Sequence, residues 1–297
     1  MPSLLLLAAC GPRWPAVEPF APAPAPLHAP VTVAVVGNLD PPAPGLLADI
    51  RAQGADLVVV AGDLVADPSA RTWSRARERL GELPTRVAVG AAELEDPGLR
   101  GVHATSPEGS WGHLTVQTEA GAVRWLLLDP RAPLDQRFWL PGVLSPPLAA
   151  AVVVVGDAAP ELVEQATSAV TPGVLSAVVQ GGEGSNSFSL PEGPWGTARI
   201  TAGAGGGPTV AVEQAAVTKA FAQRFTEVLV AEVPASEALF RRGEAFRPPA
   251  FATTGWWEVR VAPDASLSFA WRRRGSDGVW AEVFRSTWHP DRGHQAE

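Results

Sequence analysis

The 297-residue chain is 46% hydrophobic and 18% charged, enough apolar content for a large buried core. Its 31 acidic and 23 basic residues leave a net charge of −8, and no Lys/Arg block rises above that background, which argues against nucleic acid as a partner. The single cysteine, Cys10, excludes an internal disulfide framework and any multi-cysteine zinc site.

The chain opens on a short apolar run, Leu4 to Ala9, that ends in small residues and Cys10. Leu7-Ala8-Ala9-Cys10 resembles the lipobox of a bacterial lipoprotein signal, although no basic residue precedes the leucines. The resemblance implies cleavage before Cys10 and acylation of its thiol. That would anchor a domain at the membrane of the cell envelope, on its periplasmic or extracellular face, without a spanning helix. Residues 11–30 are Pro/Ala-rich and lack periodicity, the composition of a semi-rigid polyproline II spacer or a free tail. The folded domain is expected over residues 31–288, with a disordered tail over 289–297.

Residues 31–37 (VTVAVVG) form a continuous β-branched apolar run, the pattern of a strand buried on both faces. A helix is expected over 44–55, a second buried strand over 56–62 (DLVVVAG), an amphipathic helix over 69–83 and a third strand over 86–90. This alternation indicates βαβ units and a parallel sheet. Further strands are expected at 124–129, 151–156, 175–181 and 198–202, with helices at 136–144 and 160–169. Residues 226–233, 256–262, 266–272 and 279–285 alternate apolar with polar and read as antiparallel strands. The expected fold class is mixed α/β: two packed sheets flanked by helices.

In open α/β sheets, ligands gather at the carboxyl ends of strands. The turns there are Gly37-Asn38-Leu39-Asp40, Gly62-Asp63-Leu64-Val65, Gly90-Ala91-Ala92-Glu93, Gly156-Asp157-Ala158-Ala159-Pro160 and Gly181-Gly182-Glu183-Gly184-Ser185. Their order and spacing resemble the calcineurin-like metallophosphoesterases, most closely the purple acid phosphatase branch. That family places Asp-x-His, Gly-Asp, Gly-Asn-His-Asp/Glu, His-x-Pro and Gly-His-x-His at successive turns. Residues 126–144, with Asp129, Gln136, Trp139 and Leu140, resemble the family's Leu-Asp-Thr strand and Gln-x-x-Trp-Leu helix. Residues 198–208 (ARITAGAGGGP) resemble its later glycine-rich strand and turn, so the likeness covers residues 31–210.

The departures bear on function. Asp-x-His is here Asn38-Leu39-Asp40; Gly62-Asp63 survives; the Asn-His pair is Ala91-Ala92, followed by Glu93. The His-x-Pro histidine aligns with Ala158 or Asp157, and Gly-His-x-His becomes Gly182, Glu183 and Gly184. A two-metal hydrolase needs imidazole and carboxylate ligands around ions that activate water and clamp phosphoryl oxygens. Alanine and glycine side chains cannot ligate. No cofactor and no catalytic residue is therefore expected, and the chain reads as an inactive metallophosphoesterase scaffold that binds a ligand or an envelope protein.

The alternative is an active phosphoesterase with a rebuilt, carboxylate-rich site. Asp40, Asp63, Asp157, Glu93 and Glu183, with Asn38 alongside, would form an oxygen-only cluster of the kind Ca²⁺ or Mg²⁺ accepts; Asp40 and Asp63 are the candidate ligands. Against this, Asp and Asn are common turn and cap residues. Of the five histidines, His28 lies in the spacer, His289 and His294 near the tail, and His103 and His113 read as surface residues. Trp256-Trp257 suggests one ring in the core and one at a sheet edge, and Arg272-Arg273-Arg274 a charged hairpin end.

Overall fold

The computed structural model describes residues 17–96, 99–105, 109–145, 147–156, 160–170, 173–181, 186–190, 196–203, 205, 250–251, 254–275 and 277–296. The first half runs β1 (Leu27–His28), β2 (Val31–Val36), α1 (Leu46–Ala52), β3 (Leu57–Ala61), α2 (Ala70–Leu80), β4 (Thr85–Ala88), α3 (Ala91–Leu94) and α4 (Arg100–Thr105). Next come β5 (Gly112–Thr118), β6 (Gly121–Leu128), α5 (Pro133–Leu144), β7 (Leu148–Val155), α6 (Pro160–Ala169), β8 (Leu175–Gln180), β9 (Asn186–Ser189) and β10 (Ala198–Ala202). The chain closes with β11 (Ala250–Phe251), β12 (Gly255–Val261), β13 (Leu267–Arg274), β14 (Trp280–His289) and β15 (Gly293–Ala296).

Two mixed sheets result. One has the order β1-β5-β6-β7-β8-β10-β9-β11, the other β15-β14-β13-β12-β2-β3-β4. The period-2 alternation of side chains explains why the central strands are apolar throughout. Val33 and Val35 of β2, with Leu57, Val59 and Ala61 of β3, face the core between the sheets. Their neighbours Ala34, Val36, Val58 and Val60 face a second core with Leu46 of α1 and Trp73 of α2. On the far sheet, Val152 and Val154 of β7 join the inter-sheet core, while Val153 and Val155 pack with Leu140 of α5 and Leu162 of α6. The expected architecture, two packed sheets flanked by helices, is the one observed.

Several boundaries differ from expectation. The Pro/Ala-rich segment is not a free spacer from residue 17 onward. Phe20 is buried, sets its ring edge-on to Trp73 at 6.3 Å and donates its backbone N–H to Ala104 O at 3.0 Å. Glu18 pairs with Arg77 at 2.5 Å, and Leu27 and His28 add β1 beside β5. The cause is apolar content: Phe20 and Leu27 punctuate the prolines and find core to cover.

The expected disordered tail is likewise corrected. His289 ends β14, and Gly293–Ala296 pairs with it as β15. His294 is buried at 2% exposure, between Phe188 and Phe269, and its Nε2 lies 2.9 Å from Ser176 O. Residues 226–233, and residues 204 and 206–208 of the GAGGGP turn, fall outside the described residues.

Trp256 and Trp257 are both fully buried, because β12 lies inside its sheet between β13 and β2. Trp257 enters the inter-sheet core, and Trp256 the helix-side core. Arg272-Arg273-Arg274 do end β13 at its hairpin with β14, but the Arg272 side chain turns inward. It is 9% exposed, donates through Nε to Asp49 Oδ2 at 3.1 Å and lies 3.6 Å from Glu258, tying α1 to β12 and β13.

Candidate functional site

The ends of β2, β3, β4, β7 and β8 meet in one place, and glycine makes the meeting possible. A Cβ added at Gly181, after β8, would sit 1.7 Å from Ala61 O of β3 and 2.7 Å from Gly156 O after β7. One at Gly62 would sit 2.3 Å from Gly156 O, and one at Gly90 would sit 2.7 Å from Gly62 Cα. At Gly37 the obstacle is Ala202 O of β10, at 1.8 Å. Any side chain at these positions would collide with backbone, so the strand ends approach as only glycine allows.

Two turns depart from ordinary backbone geometry. Asn38 and Asp63 both have positive φ, 51° and 55°, a region that Asn and Asp enter more readily than other side chains. They are cross-linked: the Asn38 N–H donates to Gly62 O at 3.1 Å and the Leu39 N–H to Asp63 O at 2.9 Å.

Most carboxylate oxygens of the described site residues already hold hydrogen bonds. Glu93 is completely buried. Its Oε2 accepts from Asp63 N at 2.8 Å and Gly90 N at 3.0 Å, and its Oε1 accepts from Leu64 N at 2.7 Å. Burial pushes its carboxyl up to about 7, with the nearby Asp63 charge adding to the rise and the three N–H donors opposing it. Asp63 Oδ1 accepts from Ala92 N at 3.0 Å. Asp40 points elsewhere: Oδ1 accepts from Arg79 Nη1 of α2 at 2.7 Å and Oδ2 from Ala66 N at 3.3 Å.

Of the positions singled out from sequence, Asn38, Asp63, Ala91, Ala92 and Glu93 are thus brought together. Asp40 is turned toward α2. Asp157, Gly182, Glu183 and Gly184 lie outside the described residues, as does Cys10. His103 and His113 are exposed. Among the described residues, no three His, Cys, Asp or Glu side chains gather as a metal ion would require. The donor set seen does not fit the two-metal centre that the resemblance implies. Glu93 spends both oxygens on backbone N–H groups, Asp40 is paired with a cation, and no imidazole is present.

Asp129, at the end of β6, went unnoticed as an anchor. It is 1% exposed, and Arg131 donates to it through Nη2 at 2.8 Å and Nε at 3.1 Å. Burial alone would raise its carboxyl, but hydrogen bonds from Arg131 and Ser110 hold it below the usual carboxylate range. Fully buried Gln136 of α5 accepts from the Asp129 N–H through Oε1 at 3.0 Å and donates through Nε2 to the Asp129 carbonyl. The spacing of Asp129 and Gln136 was visible; that the glutamine serves the strand's backbone was not.

No family model matches the sequence, nor does any curated protein. Among solved structures the fold is similar to PhoD, with a TM-score of 0.61 at 12% identity over 92% of this chain and 73% of that one. It is also similar to the purple acid phosphatase PPD1 from yellow lupin (Lupinus luteus) seeds, with a TM-score of 0.52 at 14% identity over 88% of this chain. This chain spans 54% of the lupin protein. Both are metallophosphoesterase-fold proteins, and that is the fold of this chain.

Proposed function

We propose that this metallophosphoesterase-fold chain is a catalytically inactive scaffold, held at the bacterial envelope by lipid on Cys10, that serves as a binding or structural module. One observation carries the reading. Of the two carboxylates that converge at the strand ends, Glu93 spends both oxygens and Asp63 its Oδ1 on bracing each other's turns. A hydrolase would instead present them to metal and substrate. Substitution of the family's Asn-His pair by Ala91-Ala92 supports the same reading, since neither side chain can ligate or donate a proton.

The test is turnover of a generic aryl phosphomonoester and a phosphodiester by the purified chain, with Mn²⁺, Zn²⁺ or Fe²⁺ added. The expected result is no metal-dependent hydrolysis and no heat of metal binding by calorimetry. Turnover that needs metal and vanishes in Asp63→Ala would establish the alternative, an active phosphoesterase with a rebuilt site. Mass spectrometry of the mature N-terminus tests the anchor separately: an unmodified Cys10 in cells of the native host removes it.

A further inference from the structure

Two observations meet on α2. The first is its charge. In a chain of net charge −8, this helix carries Arg71, Arg75, Arg77 and Arg79 against a single acid, Glu78; Asp67 and Glu82 lie beyond its two ends. Arg77 pairs with Glu18, and Arg79 with Asp40. Arg71 and Arg75 are exposed and make no ion pair among the described residues. Standing four residues apart, they lie one above the other on the solvent face, where like charges repel. Glu78, three residues on from Arg75, offsets only part of that charge.

The second is where the docked N-terminal segment leaves the domain. Glu18 is held on Arg77 at 2.5 Å, and Val17 packs against the core that Trp73 of α2 enters. Cys10 stands seven residues before Val17. That stretch spans at most ~25 Å fully extended, about half of the ~50 Å diameter expected for a chain of this length. Within it are Arg13 and Trp14, a cation and an aromatic of the kind that settles at the headgroup level of a bilayer.

We propose that α2 is the membrane-facing surface of the domain, and that Arg71 and Arg75, with Arg13 of the tether, rest against anionic phospholipid headgroups. The proposal rests on lipid at Cys10. With that lipid in the bilayer, the tether is too short to let the opposite side of the domain reach the surface, and the free arginines of α2 are set before the phosphates. A guanidinium group pairs with phosphate oxygens through parallel N–H donors, which suits arginine to the contact. The anionic surface also relieves the repulsion between Arg71 and Arg75, and the local contact holds a domain whose net charge alone would be repelled.

The lone thiol gives a direct test. The purified natural chain is coupled through Cys10 to a maleimide phospholipid, on vesicles rich in phosphatidylglycerol and on vesicles of phosphatidylcholine alone. Arginine labelling by phenylglyoxal, read by mass spectrometry, compares both with the free chain. On the anionic vesicles, labelling of Arg71 and Arg75 should slow by ~5-fold or more. Exposed Arg137 of α5 and Arg292 after β14 should label at the free-chain rate. Sodium chloride at ~1 M, which shortens the screening length to ~3 Å, should restore labelling of α2. Full labelling of Arg71 and Arg75 on the anionic vesicles overturns the proposal, as does equal protection of Arg137 and Arg292. Protection that is the same on phosphatidylcholine and unmoved by salt is steric shielding alone and overturns the headgroup contact. The anchor is read separately: an unmodified Cys10 in cells of the native host removes the premise and this orientation with it, whereas an acylated Cys10 with fully labelled α2 arginines defeats the orientation alone.

Discussion

Asp63 and Glu93 brace each other's turns: the Asp63 N–H donates to Glu93 Oε2 at 2.8 Å, while the Ala92 N–H beside Glu93 donates to Asp63 Oδ1 at 3.0 Å. The exchange ties the end of β3 to the start of α3. The Glu93 carboxylate also reaches back to Gly90 N, the glutamate half of a capping box, and forward to Leu64 N. Two acidic residues at the mouth of this fold are thereby made into backbone acceptors.

Glu93→Ala should therefore destabilise the chain strongly. It leaves the buried N–H donors of Leu64 and Gly90 and the part-buried one of Asp63 without their acceptor. The loss should be about 3 kcal/mol or more in urea-induced unfolding. A loss within the range of a surface substitution, under about 0.5 kcal/mol, would show that the clamp does not hold the turns.

The same residue gives a signed pH dependence. Its folded carboxyl is raised from 4.5 to about 7, so between those values the folded chain holds more protons than the unfolded one. The stabilisation from protonated Glu93 is complete below pH 4.5 and is lost as pH rises toward 7. Glu93→Gln cannot titrate, so its deficit relative to the natural chain should be greatest near pH 4.5 and narrow toward pH 7. A deficit independent of pH would place the carboxyl at its ordinary value.

His294 acts in the opposite direction. Burial pushes its imidazole down to about 4 from 6.5, against the favourable hydrogen bond to Ser176 O. Between those values the unfolded chain binds more protons, so the contribution of neutral His294 is complete above pH 6.5 and is lost as pH falls toward 4. His294→Gln keeps a donor for Ser176 and removes the titration. Its stability should fall less steeply over that window, and the protection factors of the β15 amides in the natural chain, corrected for the intrinsic exchange rate, should drop there. Equal acid limbs for the two chains would contradict this.

The strands of β2, β3, β7 and β8 were legible because both faces of each are buried, which leaves uninterrupted apolar runs such as Val58-Val59-Val60. Convergence of the Asp63 and Glu93 turns was legible only through the resemblance of their order and spacing to the metallophosphoesterases. What sequence concealed was direction: nothing in Asn38-Leu39-Asp40 says that Asp40 turns to Arg79, because that partner lies 39 residues away. Short edge strands such as β1 and β15 carry too few residues to show a period, and their existence depends on β5 and β14. His294 looked like tail because a buried imidazole leaves no local pattern.

Docking of the N-terminal segment can be checked at Phe20. Its ring is 5% exposed and meets Trp73, so Phe20→Ala should cost about 3 kcal/mol. Trp73 fluorescence should shift to longer wavelength as its neighbour is removed. An unchanged stability and spectrum would return residues 17–30 to the status of a spacer.

Two glycine-to-alanine substitutions separate crowding from backbone conformation. Gly54 has φ +69°, and an added Cβ there meets nothing within 4 Å, so Gly54→Ala costs only the conformational term, about 1 kcal/mol. At Gly181 an added Cβ falls 1.7 Å from Ala61 O, a main-chain atom of a central strand that cannot rotate away. Gly181→Ala must push β8 from β3 and Gly156 from both, and should cost more than about 3 kcal/mol or prevent folding. Thermal unfolding of the two variants side by side decides the matter. A Gly181→Ala chain as stable as Gly54→Ala would mean that the strand ends stand further apart than these distances require.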